Sequence, residues 1–426
     1  MLPYVLILGS LWLGQAAVPA EPSPQDDVRR LVRQLDAAQL ADREVAEAEL
    51  LRRGPDVLNL LPAVNQRTSP EAAQRLARIR QRLEQTEANR AGEASTITLN
   101  ANSLLLSKAL AALQEQSGNT IVDYRAKFGQ PITDPMIQAN FQATPFWQAL
   151  DRLLDQASLT VYPFADQRAI CVVDRSDPQK VGRVGRACYR GPFRFEAVRA
   201  TANREFRDSN GRSLRVTLEI AWEPRLQPIY LQQRMADVQA NDDRGDPLPL
   251  ADREAQLEMP IRANQSAVEL TLPFQLPTRE VQRIASLKGS LLAVMPGRFE
   301  TFRFANLDKA KNIEQRIAET TVTLKGVRKT AGGWEVLIRV RFDRAGDALA
   351  SHRTWIFNNE AVLERTAGKP IGYSSYETTL QRQNEVGIAY RFSSNDSLDE
   401  TAFVYRTPSA ILSQSFSYEL SDIPLP

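Results

Sequence analysis

The sequence predicts a multidomain α+β chain: helical hairpins first, then a small duplicated βαβ module, then two antiparallel β-sandwiches. Three observations carry this. Apolar residues recur at helical spacing between residues 26 and 90. Residues Ile97 to Tyr124 align without a gap on Ile137 to Phe164 at an offset of 40, and seven of the 28 positions are identical. From about Phe193 the hydrophobic period becomes two, the mark of half-buried strands. With 426 residues, 43% hydrophobic and 24% charged, the chain is globular and too long for one typical domain.

The first 20 residues read as an export signal. Val5 to Leu13 is apolar, Val18-Pro19-Ala20 offers small residues for cleavage, and Glu21-Pro22-Ser23-Pro24 opens a polar segment. The n-region carries no Lys or Arg, and a retained N-terminal anchor is the alternative. The apolar run is too short to span a bilayer comfortably. The expected location is therefore the periplasm or cell envelope, with membrane contact only through this segment.

Residues 21–92 are expected to be helical. Asp26-Asp27 can cap a helix bearing Val28, Leu31, Val32 and Leu35, and Gly54-Pro55 stops a second one carrying Val45, Ala46, Leu50 and Leu51. A third starts near Asp56, and a fourth runs from Pro70 through Leu76, Ile79 and Leu83. The stretch from Leu35 to Gly54 resembles a single HEAT-like hairpin, and one unit does not make a solenoid. Glu84 to Ala94 reads as a polar linker.

The module occupies 93–175. Its strands are expected at Ile97–Asn100, Thr120–Asp123, Ile137–Phe141, Thr160–Phe164 and Ala169–Val173, with helices at Leu105–Gln116 and Phe146–Ala157. Gly118 suits the stop of the first helix, and Pro145 suits the first turn of the second. The phrases ITLNANSLLLSKALAALQEQSGNTIV and MIQANFQATPFWQALDRLLDQASLTVYPF resemble the secretin and TonB-receptor short N-terminal domain. That likeness implies an envelope protein that binds a protein partner through sheet edges and helix faces. The phrases SLKGSLLAVMPGRFETFRFANL and SHRTWIFNNEAVL resemble a group of exported planctomycete proteins that join such a module to β-rich C-terminal parts. That likeness implies an architecture and a compartment, and no activity.

Residues 190–312 and 316–426 are expected to be two immunoglobulin-like sandwiches without the Cys…Trp…Cys core of true immunoglobulin domains. Leu214, Val216, Leu218, Ile220 and Trp222 alternate, as do Val268, Leu270, Leu272 and Phe274. Ser290–Phe304 reads as two strands around a Pro296-Gly297 turn. Trp334, Val336, Ile338, Val340 and Phe342 alternate in the second sandwich, with further strands at Thr354–Phe357, Gly387–Phe392, Thr401–Tyr405 and Ser415–Leu420.

Catalytic parts are scarce, and the chain reads as non-enzymatic. His352 is the one histidine, which excludes a multi-histidine metal site. A Ser351–His352 pair would face opposite sides of a strand. Gly182-Arg183-Val184-Gly185 lacks the context and third glycine of a phosphate loop. Asp242, Asp243, Asp246 and Asp252 do not have EF-hand spacing. No cofactor or metal is expected, and the net charge of +2 does not suggest nucleic-acid binding. Arg183, Arg186, Arg190 and Arg194 read as a solvated basic linker. Cys171 and Cys188 could pair in an oxidising compartment, where closing the loop between them contributes about 3 kcal/mol. The candidate binding residues lie where the repeat copies differ. Trp147 replaces Ser107 and is expected to turn partly outward on its helix. Tyr124, Arg125 and Lys127 lie in the link between the copies. A glycan bound by exposed sandwich aromatics is the alternative to a protein partner, and a hydrolase is a weaker one.

Overall fold

Sequence period governs the observed architecture. Helical spacing gives helices up to Ala91, and period-two segments give antiparallel sheets after Cys188, so the fold is a β-rich α+β one. The computed structural model describes residues 24–426 except 63–67, 164, 166, 176–182, 184, 206, 208–211, 263, 366–368 and 395. The expected signal, Phe164 and Gly182 lie outside the described residues. Among the described residues no helix is long and apolar enough to cross a membrane.

Two compact units divide at Leu83. The first holds α1 (Pro24–Gln34), α2 (Leu40–Arg52) and most of α3 (Pro70–Ala91) around Val28, Leu31, Ala46, Leu50, Leu76 and Ile79. The third expected helix is a short 3-10 turn, Pro55–Leu60. Ser69 caps α3 by accepting the Ala72 N–H at 3.2 Å, and Pro70 occupies the first turn, where its missing donor costs nothing. The expected linker at Glu84–Ala94 is a correction: α3 continues to Ala91. A segment with few buried faces is polar, and it can still be a helix.

In the second unit the module matches its expected elements. They are β1 (Thr96–Leu105), α4 (Leu106–Ser117), β2 (Ile121–Asp123), β3 (Met136–Pro145), α5 (Phe146–Gln156), β4 (Leu159–Tyr162) and β5 (Ile170–Asp174). β1 pairs antiparallel with β3, and Asn100 stands opposite Asn140, its own repeat mate. The repeat is therefore a pseudo-two-fold ribbon, and the bonds obey the symmetry. The Leu106 N–H donates to Pro135 O at 3.0 Å, and the Phe146 N–H donates to Ser95 O at 2.8 Å. β5 joins β2 in parallel and β4 antiparallel in a separate three-stranded sheet.

The next strands are β6 (Cys188–Arg190), β7 (Phe193–Arg204), β8 (Arg212–Trp222), β9 (Tyr230–Arg234), β10 (Gln239–Asp242), β11 (Gln256–Pro260), β12 (Ala267–Gln275) and β13 (Arg283–Pro296). They are followed by β14 (Phe299–Phe304), β15 (Ile313–Ile317), β16 (Thr320–Thr330), β17 (Gly333–Phe342), β18 (Glu360–Arg365), β19 (Ile371–Gly372), β20 (Ser375–Gln381), β21 (Glu385–Phe392), β22 (Thr401–Pro408) and β23 (Ile411–Pro424). The sheet β12-β8-β7-β6 shares one core with the sheet of β13, β9, β10, β11 and β23, and Val216, Leu218, Ile220, Phe274 and Leu291 are buried in it. A second pair of sheets, β14-β22-β18-β19 and β15-β16-β17-β21-β20, packs on Phe302, Val322, Ile338, Phe342, Ile388 and Phe403.

The boundary expected between 312 and 316 is corrected by strand pairing. β23 returns to the first β-unit and pairs with β13 from Arg283↔Pro424 to Pro296↔Ile411. β14 joins the second β-unit and pairs with β22 from Phe299↔Pro408 to Phe304↔Phe403. The second β-unit is thus inserted between β13 and β23 of the first. Pro296-Gly297 is not a hairpin turn. The Gly297 N–H donates to Ala410 O at 2.8 Å and the Ser409 N–H donates to Arg298 O at 2.6 Å, so one ribbon runs unbroken through both β-units. A Cβ on Gly297 would stand 3.0 Å from Ala410 O, which explains the glycine. Thr354–Phe357 is also not a strand, since Trp355–Asn358 forms a 3-10 turn.

Two further contacts hold the β-units together. Ile229, Tyr230, Val294 and Ala348 form a small core between them. His352 Nε2 lies 2.9 Å from Glu258 Oε1, and the Arg353 guanidinium donates to both Glu258 oxygens while lying 3.6 Å from the Tyr230 ring centroid. Burial works to raise the Glu258 carboxyl, and the His352 and Arg353 hydrogen bonds outweigh it and hold it below the usual value.

Candidate functional site

A cleft of 520 Å³ lies where the ribbon passes from one β-unit to the other. Met295, Pro296 and Gly297 on one strand and Ala410 and Leu412 on the other line it, because the pairing keeps both strands side by side there. The β8–β9 connection adds Leu226 and Ile229, and the 3-10 turn adds Trp355. These groups make the apolar part of the lining.

Five arginines line the same cleft: Arg168, Arg225, Arg262, Arg298 and Arg406. Arg225 Nε donates to Glu223 at 2.7 Å, and Arg298 Nε lies 3.0 Å from Glu300. Arg168 donates to the carbonyls of Pro224 and Arg225, at 2.9 and 3.3 Å. Desolvation lowers the Arg168 pKa from the usual arginine value. Arg406 lies 5.3 Å from the Phe299 ring centroid. Among the described residues neither Arg262 nor Arg406 has a carboxylate within ion-pair distance. Glu84, Glu87 and Glu360 also line the cleft, leaving arginine in excess. Such a lining can bind a carboxylate or phosphate through paired N–H donors.

The residues nominated from sequence lie elsewhere, and most are buried. Trp147 is 2% exposed, which corrects the expected outward turn. Its indole N–H donates to Pro192 O at 3.0 Å, and the Arg194 guanidinium lies 4.6 Å from its ring centroid. Arg125 is buried and forks onto Asp123, at 3.0 and 2.7 Å. Tyr124 is buried as well, and only Lys127, 4.0 Å from the Tyr124 ring centroid, is exposed. Helical spacing sets Trp147 off the Phe146 stripe, but the residue is buried in the same cluster as Phe146, with Pro192 and Arg194 against it.

Cys171 and Cys188 are free, buried thiols in separate clusters, so the possible disulfide between them is not formed in this structure. Burial raises the Cys171 thiol, and Gln167 Nε2 donates to its Sγ at 2.9 Å. The basic linker is corrected in part: Arg186 and Arg190 are exposed, while Arg183 and Arg194 are not. Arg194 is fully buried between Asp151, at 3.1 Å, and Glu219, and Arg183 pairs with Glu196 at 2.8 Å. Desolvation works against the Arg194 charge, and the two carboxylates outweigh it. Burial pushes the Asp151 carboxyl up, and the neighbouring Arg194 charge only partly offsets it. Tyr189 donates to the other Asp151 oxygen at 2.9 Å. Asp242 closes a turn by accepting the Arg244 and Asp246 N–H groups, each at 2.9 Å. Among the described residues no cluster of His, Cys, Asp and Glu is placed to hold a metal ion.

Sequence reasoning missed the cleft. Its arginines come from five separate segments, and the one local signal, Pro296-Gly297, reads as a turn. Comparison with family models, curated proteins and solved structures returned no match.

Proposed function

We infer that this is an exported, non-catalytic binding protein whose recognition surface is the ribbon cleft, and that its ligand is an anion with an apolar body. The observation that carries this reading is the arginine-rich lining beside apolar side chains, with Arg262 and Arg406 free of ion pairs among the described residues. The cleft volume lies in the range of sites that enclose small ligands. Guanidiniums and apolar groups recognise charge and shape, which favours binding over catalysis. The immunoglobulin-like form of the β-units belongs to the same proposal, supported by paired antiparallel sheets on one core. Export is supported by the apolar segment Val5–Leu13 and the small residues before Glu21.

The test is calorimetric titration of the full-length protein with a medium-chain carboxylate, an alkyl phosphate and the uncharged alcohol of the same chain length. The anions are expected to bind, and R262A/R406A to weaken them about tenfold or more, since charge-assisted bonds are each worth about 1.5–3 kcal/mol. Equal affinity for alcohol and anion, or an unaffected double variant, sinks the reading.

A glycan is the second reading, favoured by one observation. Phe357 and Tyr376 stack at 4.9 Å with Tyr373 beside them, and Tyr376 is 42% exposed. Glycan-array binding that Y376A leaves unchanged would remove it.

A further inference from the structure

Arg262 and Arg406 enter the cleft from different β-units. Arg262 follows β11, whose last pair sets Pro260 opposite Tyr230 of β9, and Tyr230 in turn pairs with Val294 of β13. β11 therefore lies two strands from the ribbon, about 10 Å. The chain leading into β9 places Pro228 and Ile229 between them, and the Ile229 N–H donates to Val294 O at 2.7 Å. Arg168 stands on the Arg262 side, since Ser266 Oγ donates to Ala169 O at 3.4 Å. Desolvation lowers the Arg168 pKa, and no carboxylate offsets it.

Arg406 lies on the other side, where the ribbon has entered the second β-unit and Arg406 pairs with Thr301. Glu360 stands opposite it in the β18–β22 ladder, yet the two form no ion pair among the described residues. The guanidinium lies instead 5.3 Å from the ring centroid of Phe299, another residue of the cleft. Each side of the cleft thus has a guanidinium without a carboxylate, and Pro228, Ile229, Met295 and Pro296 make an apolar middle. A carboxylate forks onto one guanidinium at hydrogen-bond distance. With Arg406 held over Phe299 and Arg262 beyond the end of β9, one anionic head does not serve both.

We propose that the ligand of this cleft is a diacid: two anionic groups joined by an apolar chain, one taken by Arg262 and the other by Arg406. This rests on the anion reading above and narrows it. The connecting chain lies over the apolar middle, and the bound ligand bridges the two β-units. A cleft of 520 Å³ suits a small molecule of this kind.

The test is calorimetric titration of the full-length protein with α,ω-dicarboxylates and monocarboxylates of matched carbon number, and with the uncharged α,ω-diols. Two fixed ends select one span. Dicarboxylate affinity is therefore expected to pass through a maximum with chain length, and there to exceed the monocarboxylate about tenfold or more. Monocarboxylate affinity should only rise over the same range, as each added methylene buries more apolar surface. Arg262→Ala and Arg406→Ala should each reduce the best dicarboxylate to the affinity of the monocarboxylate. Dicarboxylates that bind no tighter than monocarboxylates at every length overturn the proposal and leave the anion reading standing. An advantage that survives either variant also overturns it. If neither acid binds better than the diol, both readings fall. Should a variant not fold, the length series on the wild-type protein decides alone.

Discussion

The two repeat copies share a backbone and differ in what covers their helices. In the first copy, Ser107 and Ala111 of α4 are exposed, and Asp134 accepts the Ser107 N–H and hydroxyl at 2.8 and 2.7 Å. In the second, the matching Trp147 and Asp151 of α5 are buried against β7 and β8. The shared positions build the module, and the differing positions fasten it to the first β-unit. Glu223 adds to that fastening. Its carboxylate accepts the Ser95 N–H at 2.9 Å, the Ser95 hydroxyl at 2.6 Å and Asn119 Nδ2 at 2.9 Å. Divergence between copies here marks docking within the chain, which is why difference alone was a poor guide to a ligand site.

The largest expected effect separates the copies by substitution at one matched position. Trp147→Ala empties a buried site and removes one of the two donors to Pro192 O, so it should cost about 3–5 kcal/mol. Ser107→Ala removes one exposed hydrogen bond and should cost about 1 kcal/mol or less. Denaturant unfolding of both variants checks this, and equal costs would break the comparison.

Asp151 gives the next largest effect. Asp151→Ala leaves Arg194 buried with one carboxylate, and breaking such a pair costs about 3 kcal/mol. Its pH dependence has a defined sign. Burial raises the folded-state carboxyl above the unfolded value of 3.8, so the folded chain binds that proton more tightly. The contribution favours folding below the unfolded value and is withdrawn as pH rises through the raised one. Subtracting D151N unfolding energies from wild type should give a difference that falls with rising pH. A flat or rising difference would show that burial does not raise the Asp151 carboxyl in the folded chain.

Much of this was legible in sequence, and the unread part has one cause. The strands and both helices of the module could be placed, since periodicity and Gly118 are local signals, while the 3-10 turn Arg125–Phe128 between the copies was not read. The strands at Leu214–Trp222 and Trp334–Phe342 were equally plain. What could not be read was partner choice. Ser415–Leu420 is a clear strand, yet nothing in it says that it pairs with Leu287–Leu292 across the inserted β-unit. Trp147 failed in the same way, because its helix face is apolar enough for either solvent or β7. The cleft depends wholly on such long-range pairing.

The smallest expected effect lies where the two helices end. Gly118 and its repeat mate Ser158 both hold left-handed backbone, at φ of 69° and 56°. That conformation crowds the Cβ of an L-residue and costs glycine nothing. Gly118→Ala should therefore destabilise by about 1 kcal/mol, even though nothing lies within 4 Å of the added Cβ. Ser158→Gly should stabilise by about 0.5 kcal/mol, because strain relief exceeds the added freedom of the unfolded chain by only a little. Thermal unfolding of the two single variants checks the opposed signs. If both destabilise, Ser158 is held by something other than the backbone geometry it shares with Gly118, and the symmetry of the copies stops short of their helix ends.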